Sequence, residues 1–410
     1  MKYKIALFVA MIASLLSVCF LCSGTAQANP VIPISSTTTQ PSFTPTPPNI
    51  NAKAYLLMDA ESGRIIIEKN ADERLPPASL TKLMSLYIIS NALKSGTIHW
   101  DDKVRISTKA WQAEGSRMFV KVNDEVPVKA LVQGITVASG NDATIAMAEH
   151  IASAEDAFAT MMNEQAKQLG MNNSHFTDST GLPDPTHYSS PRDLALLSQA
   201  YIKNFPEDYH LFSEKWMTYN HIRQSNRNRL LWRYPDADGL KTGFTKEAGY
   251  CLISSATRKN MRLISVIMAA PSDQIRVEES IRLLNYGFRF YETHKLYPAN
   301  QAITSARVWK GAVKEVPLGI ANDLYVTVAS SQYKNLQTRL VIDTPLKAPI
   351  TKGQTYGNVN ITVNDKVLAN VPLIALENSP KGSFFRRIVD SMSYGIHKVF
   401  SKPKESINNS

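Results

Sequence analysis

A serine and a lysine lie three residues apart, at Ser79 and Lys82, where a run of apolar residues with helical spacing begins. Residues at this spacing share one face of a helix, so a hydroxyl and an amine would lie side by side. The amine can then act as the base that makes the hydroxyl a nucleophile. Lysine acts as a base only when its pKa is lowered, by loss of water or by a nearby cation. The pair predicts acyl transfer through Ser79.

Two further motifs follow in a fixed order, Ser139-Gly140-Asn141 and Lys241-Thr242-Gly243. Each motif is common by itself, as a turn and as a strand end. Their contexts give them weight, because the first lies in a loop between predicted helices and the second precedes a predicted β-hairpin. This ordered triplet is typical of penicillin-binding proteins and class A β-lactamases.

Each motif residue has a chemical role that suits its type. Ser139 can relay a proton to a leaving group, and Asn141 can bind a substrate amide. Lys241 and Thr242 suit an anionic group such as a carboxylate, and Lys241 is also a candidate for the cation beside Lys82. Backbone N–H groups at the start of the helix can stabilise the oxyanion of a tetrahedral intermediate.

Strand and helix patterns surround these motifs. Apolar alternation predicts a hairpin first, then a mostly helical section, then three strands and a closing helix. The predicted strands are Ala54–Asp59, Arg64–Lys69, Leu240–Phe244, Gly249–Ala256 and Arg262–Ala269, and the helices are the one from Ser79, Asp142–Ala152, Ala154–Leu169, Ser190–Lys203 and Asp273–Tyr291. This order indicates an α/β or α+β catalytic domain, over residues 51–293.

The ends of the chain predict export. A positive start, an apolar run and the small-residue site Ala26-Gln27-Ala28 indicate a signal peptide over residues 1–28. A linker rich in Pro, Ser and Thr follows at 29–50. Cys251 would be the one cysteine left after cleavage, and its apolar surroundings predict a buried residue.

The C-terminal part of the 410-residue chain, which has a net charge of +10, differs from the catalytic region. Short strand patterns over residues 294–378 predict a small all-β sandwich. Residues 379–410 form a tail in which bulky apolar residues and cations separate onto two faces of a predicted helix at 381–404. We expect this tail to lie on a membrane surface, since its charges interrupt it too often for a span.

The chain as a whole resembles the serine-type D-alanyl-D-alanine carboxypeptidases among the low-molecular-mass penicillin-binding proteins. Five further segments carry this resemblance: Tyr55–Asp59, Gly115–Phe119, Asp178–Leu182, Ser190–Ala195 and Asp238–Leu240. The resemblance implies a penicillin-binding transpeptidase or β-lactamase-like catalytic domain, a β-domain and a tail that holds the enzyme on the periplasmic face of the inner membrane. It also implies peptidoglycan stem pentapeptides as substrates and β-lactams as covalent inhibitors.

The same resemblance implies residue roles. Ser79 would attack the penultimate D-Ala carbonyl, and its N–H group, with that of the residue after Lys-Thr-Gly, would form the oxyanion hole. That residue is Phe244, where many relatives carry histidine, so a side-chain role is lost while the backbone donor remains. Gly243 belongs to this substrate-binding strand. Arg276 matches an arginine that helps to bind the terminal carboxylate; the alternative is a solvated helix residue.

Other functions have less support from the sequence. The histidines are scattered without ligand spacing, and there is no phosphate loop or nucleic-acid motif, so we expect neither metal, cofactor nor nucleic acid. A β-lactamase would need a deacylating base that the 165–190 region does not offer. A cross-link endopeptidase and a non-catalytic wall-binding protein are the remaining alternatives, and the intact motif residues argue against the latter.

Overall fold

The computed structural model describes residues 45–400 and 407–408, with side chains over 45–393. The predicted signal peptide and the linker up to residue 44 lie outside the described residues. In chain order the strands are β1 (Ala54–Asp59), β2 (Ile65–Lys69), β3 (Lys103–Arg105), β4 (Glu125–Pro127), β5 (Trp216–Tyr219), β6 (Ile222–Ser225), β7 (Ala237–Thr245), β8 (Gly249–Arg258), β9 (Met261–Ala270), β10 (Tyr291–Tyr297), β11 (Thr304–Trp309), β12 (Glu315–Gly319), β13 (Leu324–Ala329), β14 (Leu336–Ile342), β15 (Leu346–Lys347), β16 (Thr355–Val363), β17 (Lys366–Ala375) and β18 (Ile407–Asn408). The α-helices are α1 (Lys82–Lys94), α2 (Thr108–Trp111), α3 (Val128–Gln133), α4 (Asn141–Ala152), α5 (Glu155–Gln168), α6 (Pro191–Asn204), α7 (Leu230–Arg233), α8 (Asp273–Phe290) and α9 (Phe384–Phe400).

A five-stranded antiparallel sheet, in the order β2-β1-β9-β8-β7, is the centre of the catalytic region. Successive side chains of a strand point to opposite faces, and both faces of this sheet are covered. Leu56 packs in the core that contains Leu83 of α1, whereas the next residue, Leu57, packs in the core that contains Leu284 of α8. Helices on both faces therefore fix the sheet in place, as the sequence predicts.

A β-rich region follows α8. Its larger sheet has the order β15-β11-β12-β17-β16-β14-β18, and β10 pairs with β13 in a second, two-stranded sheet. Val316, Val326 and Ile361 share one apolar core between these strands. The sequence predicts strands here at Val313–Ile320, Leu324–Ala329, Thr338–Ile342 and Val359–Val363, and it predicts none at β10, β11 or β17.

A buried carboxylate joins the two regions. Asp59, at the end of β1, is fully buried and accepts hydrogen bonds from Ser62 N and Ser62 Oγ, both at 2.7 Å. Its other oxygen accepts from Thr293 Oγ1 on β10 at 2.7 Å. Thr327 of β13 completes the group through Ser62 Oγ at 2.6 Å and Thr293 Oγ1 at 2.8 Å.

Helix α9 contacts the β-rich region through its polar side. Lys310 N donates to Asp390 Oδ2 at 2.7 Å, and Arg386 Nη1 donates to the Ala312 carbonyl at 2.6 Å. Phe385 and Val389 on the same helix are largely exposed. Within the described residues, we find no helix with the length and apolar character needed to cross a bilayer.

Lys241-Thr242-Gly243 lies inside β7, which contains the predicted strand Leu240–Phe244 and extends it at both ends. The segment before Ser139 is a turn of π-helix, Gly134–Ala138, which the apolar spacing of a few residues cannot distinguish from an α-helix.

We predict that Asp59→Ala lowers the free energy of unfolding by about 1–3 kcal/mol, because buried hydrogen-bond donors lose their acceptor. Urea unfolding followed by circular dichroism measures this. As a control, Asp72→Ala removes an exposed ion pair with Arg192 and should cost at most about 1 kcal/mol. Equal losses in the two variants would contradict the role given to Asp59.

Candidate active site

Ser79 lies in a 3₁₀ turn, Ala78–Thr81, that leads directly into α1. Lys82 Nζ lies 2.8 Å from Ser79 Oγ and donates to the Thr180 carbonyl at 2.8 Å. The backbone of Ala78 is left-handed, with φ at 49°, a conformation that non-glycine residues rarely adopt. The structure therefore contains the predicted Ser79–Lys82 pair. Strained backbone at Ala78 positions the serine, and the carbonyl of Thr180, which is distant in sequence, positions the lysine.

Burial sets the ionisation of Lys82. The side chain has no exposed surface, and desolvation lowers its pKa to about 7 although Asp178, Asp142 and Glu155 raise it. The sequence left two possible causes for a lowered lysine pKa, burial and a nearby cation, and burial is the one that acts on Lys82. Near neutral pH, a large fraction of Lys82 is the free amine and can accept the proton of Ser79.

Ser139 and Lys241 form a second pair of hydroxyl and amine. Ser139 has a left-handed backbone, with φ at 58°, between the π-helical turn and α4. Lys241 Nζ donates to Ser139 Oγ at 2.7 Å. Burial lowers the pKa of Lys241 well below its usual value, and the cations of Lys82, Arg276 and Arg227 lower it further. Burial lowers the pKa of Lys82, and the charge of Lys241 is not among the causes of that shift. The predicted effect of Lys241 on Lys82 is therefore not what makes Lys82 a base.

Asn141 presents an acceptor to the cleft. Its Nδ2 donates to the Glu114 carbonyl at 2.6 Å, which fixes the orientation of the amide. Its Oδ1 is buried and has no hydrogen-bond partner among the described residues. A buried acceptor without a partner is costly, so an incoming substrate N–H would be favourable here.

A loop opposite the Ser79 turn supplies the carbonyl that holds Lys82. Asp178 Oδ1 accepts from Thr180 N at 2.6 Å, Thr180 Oγ1 at 2.7 Å and Gly181 N at 2.7 Å. Gly181 has φ at 86°, and a Cβ there would lie 1.9 Å from the Ala78 carbonyl oxygen. A ring nitrogen of His187, Nε2, lies 2.8 Å from Thr81 Oγ1, and the other, Nδ1, lies 3.3 Å from Asp178 Oδ2, so this side chain connects the loop to the Ser79 turn.

Sequence reasoning gave no role to Asp142, which follows Asn141. Its carboxylate accepts from the backbone N–H groups of Met118 at 2.9 Å, Phe119 at 2.8 Å and Val120 at 3.2 Å. It thereby fixes a wall of the cleft. The one available signal was an acid in the first turn of a helix directly after the Ser-Gly-Asn motif.

Strand β7 forms the other wall. A Cβ on Gly243 would lie 2.8 Å from the Pro77 carbonyl oxygen, so only glycine lets this strand approach the Ser79 turn. Phe244 is 51% exposed and its ring lies 4.3 Å from that of Tyr250. Arg276 is only 6% exposed and donates from Nη1 to the carbonyls of Gly243 at 2.9 Å and Cys251 at 3.0 Å. The solvated alternative for Arg276 is therefore wrong.

All the predicted site residues meet in one place. They line, or lie directly beneath, a cleft of about 530 Å³. Its wall includes Ser79, Ser139, Asn141, Thr242, Gly243, Phe244 and Arg276, and Lys82 and Lys241 reach it through their bonds to the two serines. No group of histidine, cysteine and acidic residues in the described part of the chain could hold a metal ion.

Comparisons with known proteins agree with this geometry. A family profile described as D-alanyl-D-alanine carboxypeptidase matches residues 41–272, and one described as the C-terminal domain of penicillin-binding protein 5 matches residues 291–381. The D-alanyl-D-alanine carboxypeptidase DacC of Escherichia coli is 43% identical over 86% of this chain and 90% of its own length. The crystal structure of penicillin-binding protein 5 from Haemophilus influenzae is 42% identical, covers 82% of this chain and 99% of its own, and has a TM-score of 0.79. Penicillin-binding protein D2 of Listeria monocytogenes, in its ampicillin-bound form, is 30% identical over 60% of this chain and all of its own, with a TM-score of 0.55.

We predict that Asp178→Asn lowers the pKa of Lys82 below about 7. Of the three carboxylates that raise this pKa, Asp178 has the largest effect, and the substitution removes its charge. The Asn oxygen can still accept the hydrogen bonds that hold the loop. NMR titration of the lysine side chains measures the shift. Asp184→Asn is the matched control, since Asp184 makes the same local turn with Thr186. An unchanged or raised pKa in Asp178→Asn would contradict the prediction.

Proposed function

Because this chain belongs to the D-alanyl-D-alanine carboxypeptidase family of penicillin-binding proteins, we propose a role for each residue in the cleft. The protein is a serine-type D-Ala-D-Ala carboxypeptidase, a hydrolase that works through an acyl-enzyme and is acylated by β-lactams. Its substrates are peptidoglycan stem pentapeptides. The observation that carries the assignment of the nucleophile is the 2.8 Å contact between Ser79 Oγ and the fully buried Lys82 amine.

Acylation begins with proton transfer from Ser79 to the neutral amine of Lys82. Ser79 Oγ then attacks the carbonyl carbon of the penultimate D-Ala. The backbone N–H groups of Ser79 and Phe244 hold the oxyanion, since they lie on the two walls that Gly243 brings together. Thr180 keeps Lys82 Nζ in place through its carbonyl, so the ammonium that forms has an acceptor ready.

The leaving group departs on the side of Ser139. The C–N bond breaks, and the amine nitrogen receives a proton from Ser139 Oγ, which Lys241 Nζ contacts at 2.7 Å. The proton that Lys82 took from Ser79 then returns Ser139 to its hydroxyl form, and Lys82 becomes a neutral amine again. Thr242 and Arg276 bind the carboxylate of the departing D-Ala. Asn141 Oδ1 accepts a hydrogen bond from an amide N–H of the acyl part, which supplies its missing partner. Water then cleaves the Ser79 ester and restores the enzyme.

We predict that Ser79→Ala abolishes both D-Ala release from a pentapeptide and covalent labelling by fluorescent penicillin. The substitution removes the attacking oxygen and leaves the apolar core unchanged. Mass spectrometry of products and adducts measures both. Ser62→Ala, which alters a serine at the junction of the two regions, should keep labelling. A covalent adduct on the Ser79→Ala protein would rule out Ser79 as the nucleophile.

The enzyme acts on the periplasmic face of the inner membrane, exported by its signal peptide and attached by α9. The exposed apolar side chains of this helix support peripheral attachment, since its polar side contacts the β-rich region. Arg386 and Arg387 add the positive charge that favours an anionic lipid surface.

We predict that deletion of the residues after Ser379 releases the protein from anionic vesicles, because the exposed apolar side chains and cations are lost together. Val389→Asp should weaken binding as well, since it places a charge on the apolar side. Flotation with phosphatidylglycerol vesicles measures the bound fraction. Val367→Asp is the control, because Val367 is just as exposed, 65% against 62%, but lies on β17. Flotation of the truncated protein would contradict attachment by α9.

A further inference from the structure

A small cavity of about 230 Å³ opens next to the Ser79 turn. It shares Gly181, Leu182 and Thr245 with the wall of the catalytic cleft, so the two spaces adjoin. A pocket for a whole drug-sized ligand usually measures about 300–1,000 Å³, so the smaller volume suits a single side chain. We call this cavity the proline pocket after the prolines that line it, which are Pro76, Pro77, Pro183 and Pro185.

The cleft and the proline pocket have opposite charge. Among the described residues, the wall of the cleft contains three arginines and no acid, and the arginines are Arg117, Arg227 and Arg276. The wall of the pocket contains two acids, Asp184 and Glu247, and neither lysine nor arginine. A ligand that spans both spaces is therefore favoured when it carries an anion at the cleft end and a cation at the pocket end.

The two acids are available to a ligand. Both Asp184 and Glu247 are exposed, and neither forms an ion pair within residues 45–393. Asp184 uses only one carboxylate oxygen in its turn, where Oδ1 accepts from Thr186 N at 2.7 Å and from Thr186 Oγ1 at 2.6 Å. These hydrogen bonds lower the pKa of Asp184, so its carboxylate stays ionised at neutral pH. Apolar walls with free carboxylates suit an aliphatic chain that ends in an ammonium group.

The order of groups along β7 identifies which part of a substrate would enter the proline pocket. This strand lies at the edge of its sheet. In the proposed function, Thr242 binds the carboxylate of the leaving group and the N–H group of Phe244 holds the oxyanion, so the acyl part continues towards Thr245. Thr245 is where the cleft and the pocket meet, and Glu247 lies beyond it. Since an extended chain advances about 3.4 Å per residue, the residue before the acylated D-Ala lies at the pocket.

The chemistry of that substrate residue matches the pocket. In a stem pentapeptide, a diamino acid, lysine or meso-diaminopimelate, precedes D-Ala-D-Ala as the third residue. Its side chain is aliphatic and ends at a second amine, which is an ammonium group until a cross-link acylates it. The peptide thus carries a carboxylate at its end and an ammonium group two residues earlier, in the order that the charges of the cleft and the pocket favour.

We propose that the proline pocket binds the free-amine side chain of the diamino acid in the stem peptide, and that the enzyme therefore prefers pentapeptides whose side-chain amine has not been acylated. This inference rests on the proposed function, because the pocket adjoins the cleft that contains Ser79. The pocket binds and orients the substrate and takes no part in the bond changes. The enzyme would then act on a stem before a transpeptidation reaction uses the amine of that stem.

The test uses the purified full chain and synthetic pentapeptides that differ only in the third residue. These residues are lysine, Nε-acetyl-lysine, norleucine and the short diamino acid diaminopropionate, with meso-diaminopimelate and its side-chain N-acetyl form as a second pair. Release of D-Ala at pH 7 gives kcat/KM for each peptide. We expect the lysine peptide to exceed the acetylated, norleucine and diaminopropionate peptides at least about 5-fold, because only lysine combines the ammonium group with the length that reaches the pocket. The meso-diaminopimelate pair shows whether the preference extends to that diamino acid.

Variants of the two acids test the pocket itself. Glu247→Gln and Asp184→Asn should each lower kcat/KM on the lysine peptide at least about 3-fold and change it less than about 2-fold on the acetylated peptide. Glu61→Gln is the matched control, because Glu61 is also exposed but borders a different cavity, and it should leave both rates unchanged. Penicillin labelling of every variant checks that the cleft is folded.

The outcomes separate this inference from the proposed function. Equal rates on the free-amine and acetylated peptides would overturn the inference and leave the carboxypeptidase assignment standing. A preference for lysine that is the same in Glu247→Gln, Asp184→Asn and the unmodified enzyme would overturn the pocket as the binding site. An equal preference for diaminopropionate would mean that the charge acts without the pocket, which also overturns the proposal. Failure of the unmodified enzyme to release D-Ala from any of the peptides would reject the proposed function itself.

Discussion

The burial of the Lys82 amine is the constraint on which the rest of the site depends. An ammonium group without water is unfavourable, so a buried lysine loses its proton near neutral pH and becomes a base. Three nearby carboxylates oppose this effect, and each of them also holds backbone in place. Asp178 and Glu155 accept hydrogen bonds from the loop that carries the Thr180 carbonyl, and Asp142 accepts them from the wall at Met118–Val120. The site thus combines acids that fix the backbone with a base that must remain neutral. Desolvation is the stronger influence, and this is why the helices and the sheet must exclude water from Lys82.

The reactive hydroxyls depend on backbone that only a well-packed fold can hold. Left-handed conformations at Ala78 and Ser139 lie beside the two serine–lysine pairs. Such conformations cost free energy and persist where the surroundings determine them fully. Here the surroundings are close contacts made possible by glycine, at Gly181 against Ala78 and at Gly243 against Pro77. Strand β7, through Gly243, and the loop that contains Gly181 therefore pack against the Ser79 turn from two sides.

Much of the site was predictable from the sequence because its chemistry is local. Ser79 and Lys82 are three residues apart, and a helical turn brings them together without help from the rest of the chain. The contact of Lys82 with Thr180 joins residues 98 positions apart, so no local pattern reveals it. In the fold, strands buried on both faces were found by their apolar runs. Strand β17 was missed because much of it is exposed and it contains Pro372, and β10 because Glu292–Lys295 is polar.

The central claim, that a neutral Lys82 activates Ser79, is tested most directly by the pH dependence of a single turnover. Stopped-flow acylation by a chromogenic penicillin isolates this step from hydrolysis of the ester. Since the free amine is the active form, the rate should rise with pH and reach half its maximum near pH 7, following one deprotonation. A rate that stays low until the pH approaches the ordinary lysine pKa, or one that does not change across neutrality, would contradict this account.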